Sequence, residues 1–322
     1  MQLKGFHHLT AVTGDVKANH AFYTGTLGLR MVKKTVNQDD TSAYHLFYAD
    51  GRGSPGTDIT FFDWPVLPET RGNGTVGRTG FRVADEAALK YWHERLTSLK
   101  HFPTAIVDRD GRPAFDFEDR EGQRLSLVID PAAGAGHPWE KSPVPAAHQV
   151  RGLGPITLSV GHLEPTEKIL TNLLGMKRVR EYTGPGTEGV KNATSVHHVF
   201  EMNEPNAGPF TELHVAVEPH LRRARGGTGS VHHVAFSVGS FAEYDAWWDR
   251  LQSFGVHSSG PVDRFYFKSL YFREPGGVLF ELATDEPGFS ADEPLETMGE
   301  KLSLPPFLEG RRASIEAGLK KF

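Results

Sequence analysis

The amino-acid sequence predicts an α+β fold built from four copies of one module, and three observations carry that expectation. The chain repeats itself. Thr41 to Phe47 (TSAYHLF) aligns without gaps on Thr194 to Phe200 (TSVHHVF), and Leu27-Gly28-Leu29-Arg30 on Leu174-Gly175-Met176-Lys177. A second set of matches pairs Tyr91 to Leu96 with Ala246 to Leu251, and Asp116 to Gly122 with Tyr271 to Gly277. The two sets alternate along the 322 residues, which places modules at 5–62, 78–130, 153–217 and 230–284. Such a period marks one supersecondary unit used several times, and the length suits about two domains. We therefore expect a first domain over 1–130 and a second over 151–284.

Each module is expected to open on a short strand, such as Phe6 to Val12 or Val231 to Val238. A helix follows, seen best from Phe241 to Phe254, where Tyr244, Trp247, Trp248 and Leu251 fall at i, i+3, i+4 and i+7. Two or three further strands come next, separated by Gly/Pro/Asp turns such as Gly51 to Gly56. Pro131 to Val150 is rich in Pro, Ala and Gly and without periodicity, which makes 131–150 a linker. From Asp285 the pattern stops. The tail, 285–322, carries a Pro305-Pro306 break and a short helix over Leu308 to Leu319, expected to pack over the body as a lid.

Composition narrows the chemistry. With 38% hydrophobic and 23% charged residues the chain suits a soluble globular protein. Its 35 basic against 40 acidic residues give a net charge of -5, the wrong sign for a nucleic-acid binder. No apolar run approaches the roughly 18 residues of a membrane span. The start, MQLKGFHHLTAV, lacks the apolar stretch of a secretory signal, so the expected location is cytoplasmic. Cysteine is absent, which removes disulfides, thiolate nucleophiles and cysteine-based metal sites together. Sixteen histidines and the carboxylates remain for metal chemistry.

Two first strands carry adjacent histidines, Phe6-His7-His8-Leu9-Thr10 and Val231-His232-His233-Val234-Ala235. Alternation along a strand puts one histidine of each pair on either face. His8 then shares a face with Thr10, and His233 with Ala235 and Ser237. His7 lies with Leu9 and Ala11, and His232 with Val234, Phe236 and Val238. The more apolar faces belong under the helices, so His8 and His233 should line a cavity while His7 and His232 point away from its centre. Glu281 interrupts the apolar strand Val278 to Ala283, and a buried carboxylate demands a cation, hydrogen bonds or protonation. Two neutral imidazoles and one carboxylate with open positions make the facial triad of non-haem Fe(II) oxygenases. A structural zinc site would close a tetrahedron instead.

Other histidines fit a bland role. His197 and His198 sit in a similar string, but the repeat places them opposite Tyr44-His45 in a middle strand, where a structural role is expected. Glu212 aligns on Glu281 through AGPFTEL and GGVLFEL, yet the first strands of modules two and three supply no histidine to join it. His20, His93, His137, His148 and His257 fall in helices or loops and are expected to face solvent.

In these segments the sequence resembles the vicinal oxygen chelate superfamily, whose paired βαβββ modules cup a metal ion. Within it, the resemblance is to the hydroquinone-type ring-cleaving dioxygenases. It rests on FHHLT, FYTGTLGLRMVKKTVNQDD, YHLFYADGRGSPGT, VHHVAF and YFREPGGVLFE, which run from Gly5 to about Thr284. The resemblance implies His8, His233 and Glu281 as metal ligands, with His7, Thr10, His232, Arg264 and Tyr271 around them. It implies Fe(II), with Mn(II) as the other ion, and a small aromatic diol and O2 as reactants. Tyr271 and His232 are then candidates for acid–base work and Arg264 for anion stabilisation. Ligands from modules one and four can meet at one ion only if those modules pair in space, within one chain or by exchange between subunits of a homo-oligomer. The alternative reading is a metal-dependent isomerase or lyase of the glyoxalase kind, with Asp58 recruited as a fourth ligand by a register slip from Thr60. A non-catalytic binder of small aromatics is the third.

Overall fold

The computed structural model describes residues 1–132, 134, 136–188, 193–202 and 207–322. Small parts of the expected linker and third module therefore lie outside the described residues.

The first module contributes β1 (Phe6–Thr13), α1 (Val16–His20), β2 (Arg30–Val36), β3 (Tyr44–Ala49) and β4 (Asp58–Asp63). The second has β5 (Thr75–Val83), α2 (Glu86–Ser98), β6 (Val107–Arg109), β7 (Arg112–Glu118) and β8 (Arg124–Ile129). The third has β9 (Leu153–Val160), α3 (Leu163–Lys168), β10 (Lys177–Pro185), β11 (Thr194–Glu201) and β12 (Glu212–Val217). The fourth has β13 (Val231–Ser237), α4 (Phe241–Ser253), β14 (Val262–Asp263), β15 (Lys268–Arg273) and β16 (Leu279–Ala283). Each is a βαβββ unit. Modules one and four form one curled eight-stranded sheet, β14-β15-β16-β13-β1-β4-β3-β2, and modules two and three form the other, β10-β11-β12-β9-β5-β8-β7-β6.

The helices form where the sequence supplies both a cap and an apolar stripe. Ser240 and Glu243 make a capping box at the start of α4, and Tyr244, Trp247 and Leu251 bury the face that packs on β15 and β16. Trp248 is half-buried on the stripe's edge. Asp85 caps α2, which buries Ala88, Leu89, Trp92 and Leu96 against the second sheet. The tail forms two short helices, α5 (Pro306–Glu309) and α6 (Arg312–Gly318), and runs along the β2 edge: Ser303 N–H donates to the Lys34 carbonyl. None of its described residues lines the cavity below. It supports the wall from behind, where Asp292 and Ser303 bond the Tyr266 hydroxyl.

The join between β1 and β13 sets up the site. Opposite partners run Phe6 to Phe236 and His8 to Ala235, which leaves His7 as an extra residue in β1. Further along, Thr10 faces His233 and Ala11 faces Val231, so His232 is an extra residue in β13. Both strands therefore carry a β-bulge at the first histidine of the pair. A bulge bends the strand and re-aims side chains, and this corrects the expected alternation. His232 does not turn away from the cavity, and the rings of His7 and His232 each lie against their neighbour, Nδ1 to Nδ1 at 2.8 Å.

Candidate metal centre and cavity

Three side chains from β1, β13 and β16 converge. His8 Nε2 and His233 Nε2 are 3.2 Å apart, and they stand 3.2 Å and 2.8 Å from Glu281 Oε2. All three residues are buried, Glu281 completely. Donors about 2.1 Å from one ion are about 3.0 Å apart at right angles and about 3.4 Å apart in a tetrahedron. The observed separations bracket the right-angle figure. Glu281 Oε2 accepts no aligned hydrogen bond despite its two close imidazoles, while Oε1 is bonded by the Ser269 hydroxyl at 2.5 Å. Three donor atoms this close to one another form a set that could hold a cation.

Electrostatics agree with that geometry. Burial opposes the Glu281 charge, but His8 and His233 outweigh it and hold the carboxyl well below its usual range. Burial lowers the pKa of His233, keeping its imidazole neutral. The opposite ring nitrogens are also engaged: His8 Nδ1 lies 2.8 Å from His7 Nδ1, and His233 Nδ1 2.8 Å from His232 Nδ1. With Nε2 bare toward a cation, the proton of His8 sits on Nδ1 and donates to His7. The His7 ring is also held by the Thr284 backbone. Such partners fix tautomer and ring orientation. Burial depresses the His7 pKa to about 3, so its ring stays uncharged.

Two of the three donors, His8 and His233, line a cavity of about 340 Å³. Phe47, Phe62, Trp64 and Phe267 supply apolar walls, while Asn37, Asp39, Arg264 and Tyr271 bring polar groups. His232 lines this cavity beside His233, the reverse of its expected orientation, because of the bulge. His7 and Thr10 do not line it; Thr10 Oγ1 is hydrogen-bonded to Thr60 Oγ1 at 2.8 Å. Arg264 pairs with Asp39 at 2.8 Å and stacks over Tyr271, its guanidinium carbon 5.4 Å from the ring centre. Burial and then Glu281 push the Tyr271 phenol above its usual range, so it is a proton donor at neutral pH. Sequence reasoning missed His45. It reaches in from β3, where Nε2 meets Thr60 Oγ1 at 2.9 Å, and burial followed by His8 and His233 holds it neutral. Its one available cue was a polar residue in the otherwise apolar strand Tyr44–Ala49.

Asp58 is fully buried on β4 across from His8, with neither oxygen hydrogen-bonded, but it is not among the converging donors. Burial raises its pKa far above the usual carboxyl value.

The second sheet holds a filled counterpart. Thr157 pairs with His214 as Thr10 pairs with Thr60, so Glu212 occupies the place of Asp58, not the one the sequence alignment gave it opposite Glu281. Glu212 does have neighbours, His214 and Asp110, which corrects the expectation that it stands alone. Arg112 grips it through two 2.8 Å bonds and Arg180 sits 2.9 Å away, so guanidiniums already supply the positive charge. His197 stacks on Tyr182 and bonds the Pro185 carbonyl, and His198 bonds Arg178. Of the histidines expected at the surface, His137 and His257 are exposed, but His20, His93 and His148 are half-buried. His148 stacks on Tyr91, with ring centres 4.5 Å apart.

Comparison with known proteins bears on this site. The chain is 44% identical, over 99% of both sequences, to a Bacillus subtilis (strain 168) protein named "Putative ring-cleaving dioxygenase MhqA". It is 28% identical to the "Chlorohydroquinone/hydroquinone 1,2-dioxygenase" of Sphingobium indicum, covering 96% of this chain and 94% of that one. A solved structure from Bacillus subtilis superposes with a TM-score of 0.88 at 36% identity, covering 100% of this chain and 98% of that one. The profile of the Glyoxalase/Bleomycin resistance protein/Dioxygenase superfamily matches residues 5–127 and 152–282, the two stretches that contain the four modules. With that match the chain belongs to the glyoxalase/bleomycin resistance protein/dioxygenase superfamily.

Proposed function

We propose that the protein is a ring-cleaving dioxygenase that opens a hydroquinone or catechol-like diol with O2, using Fe(II), or Mn(II), held by His8, His233 and Glu281. The observation that carries the reading is the convergence of His8, His233 and Glu281, with the two histidines bordering an aromatic-walled cavity. His8, His233 and Glu281 would hold the ion, which would supply the electron transfer between diol and O2. The names of the relatives support the same chemistry.

The chain's own groups then have defined tasks. Phe62, Trp64 and Phe267 sandwich an aromatic ring and exclude water. His232 lines the cavity beside His233; burial lowers its pKa to about 3, so the ring stays neutral, and its Nδ1 contact orients His233. Tyr271 holds its own proton and donates it, or a hydrogen bond, to oxygen developing negative charge, with Arg264 adding positive charge beside it. His7 acts only through His8, and Thr10 positions Thr60 and, through it, His45. The protein is expected to work in the cytoplasm on a small diol, as a monomer or homo-oligomer.

Anaerobic loading with Fe(II), followed by O2 uptake on adding methylhydroquinone or catechol, tests this directly. One O2 consumed per diol is expected. No uptake with either diol, together with O2-independent turnover on Zn(II) or Ni(II), would move the protein to the glyoxalase-type alternative.

A further inference from the structure

Behind the wall formed by Trp64, His232 and Leu279 lies a second cavity of about 390 Å³, and those three residues border both spaces. Its chemistry differs from that of the first. Arg223 and Arg273 line it, and no Asp or Glu does so among the described residues. Arg223 Nη1 donates to the Gly276 carbonyl at 2.8 Å, and Arg273 Nη1 to the Gly277 carbonyl at 2.6 Å, so both guanidiniums hold one turn. Buried arginines such as Arg78, Arg82 and Arg109 each pair with a carboxylate; among the described residues these two do not. The acid of their own turn, Glu274, is buried, and its oxygens bond Thr166 and the Gly276 and Val278 amides.

Arg223 also has a built seat. A Cβ on Gly277, where φ is +110°, would fall 1.7 Å from its Nη2, and one on Gly74, where φ is +78°, 2.8 Å from its Cζ. Two like charges held at one turn, with planar donors left over, match a carboxylate.

We infer that this second cavity, which shares its Trp64, His232 and Leu279 wall with the metal cavity, is a carboxylate subsite served by Arg223 and Arg273. The inference rests on the ring-cleaving reading for the source of its ligand. When O2 opens hydroquinone, the bond between a hydroxyl-bearing ring carbon and its neighbour breaks, and so does the O–O bond. Both oxygen atoms stay in the product, one in a new carboxylic acid and the other in an aldehyde. The two carbons give up the four electrons that O2 accepts, so no further reductant is needed. The acid then releases one proton to water and becomes a carboxylate. A diol with a carboxylate side arm is the other source of the same group.

The test is calorimetric binding to the full-length, metal-loaded protein without O2, so that nothing turns over. Three probes are used: 2,5-dihydroxyphenylacetate for the side-arm source, cis,cis-muconate for the product source, and methylhydroquinone as the neutral reference. At least one carboxylate probe should bind about tenfold more tightly than the reference, a preference that Arg223→Met and Arg273→Met each largely erase. Both residues are exposed, and thermal melts check that the variants fold. Equal affinity for all three probes, or a preference that survives Arg223→Met, overturns the subsite. Muconate lacks the diol, so its Arg223-dependent binding would stand even if the O2-uptake experiment failed.

Discussion

At the residue scale the charge on Glu281 decides what the site can hold. Its carboxylate is sealed from water with two imidazole nitrogens at its side, so a divalent cation is the natural partner. Glu281→Gln keeps the shape and removes the charge; bound iron should fall by at least about tenfold while the circular dichroism spectrum stays the same. Asp58 separates the two enzyme readings. Its folded-state pKa lies well above 3.8, so its contribution to stability is complete below that unfolded value and drains away as the pH climbs through the folded one. Asp58→Asn mimics the neutral acid. It should gain on the wild type by about 1.4 kcal/mol for each pH unit over which only the unfolded chain ionises, with unchanged metal content. Loss of metal in that variant would favour a four-ligand, isomerase-type site. His8, His233 and Glu281 were legible in the sequence because paired histidines and a lone carboxylate in apolar strands stand out. His45 did not, since one histidine in a middle strand reads as packing.

At the scale of elements, the bulge in β13 explains why alternation misplaced His232. An extra residue in a ladder is a property of the pairing between β1 and β13, two strands more than 200 residues apart, and leaves no mark in either strand's own pattern. The helices were easier to read, because a cap and an apolar stripe are local. The α4 stripe offers a direct check: Trp247 is buried under the sheet that carries Glu281. Trp247→Ala should cost about 3–5 kcal/mol in urea unfolding. A cost under about 1 kcal/mol would mean that α4 does not support β16 as described.

For the whole molecule, the three candidate donors come from both ends of the chain, and the pairing of modules one and four in one sheet brings them together. That pairing was legible from the requirement that three donors share one ion. The second sheet keeps the architecture but fills the equivalent space with Arg112 and Arg180 on Glu212, a pairing that a comparison of sequence repeats does not display. The most direct measurement is an anomalous difference map from crystals grown with Fe(II) under anaerobic conditions. One iron peak about 2.0–2.3 Å from His8 Nε2, His233 Nε2 and Glu281 Oε2 is the predicted result. A peak at Asp110, Glu212 and His214, or no peak between β1, β13 and β16, would contradict it.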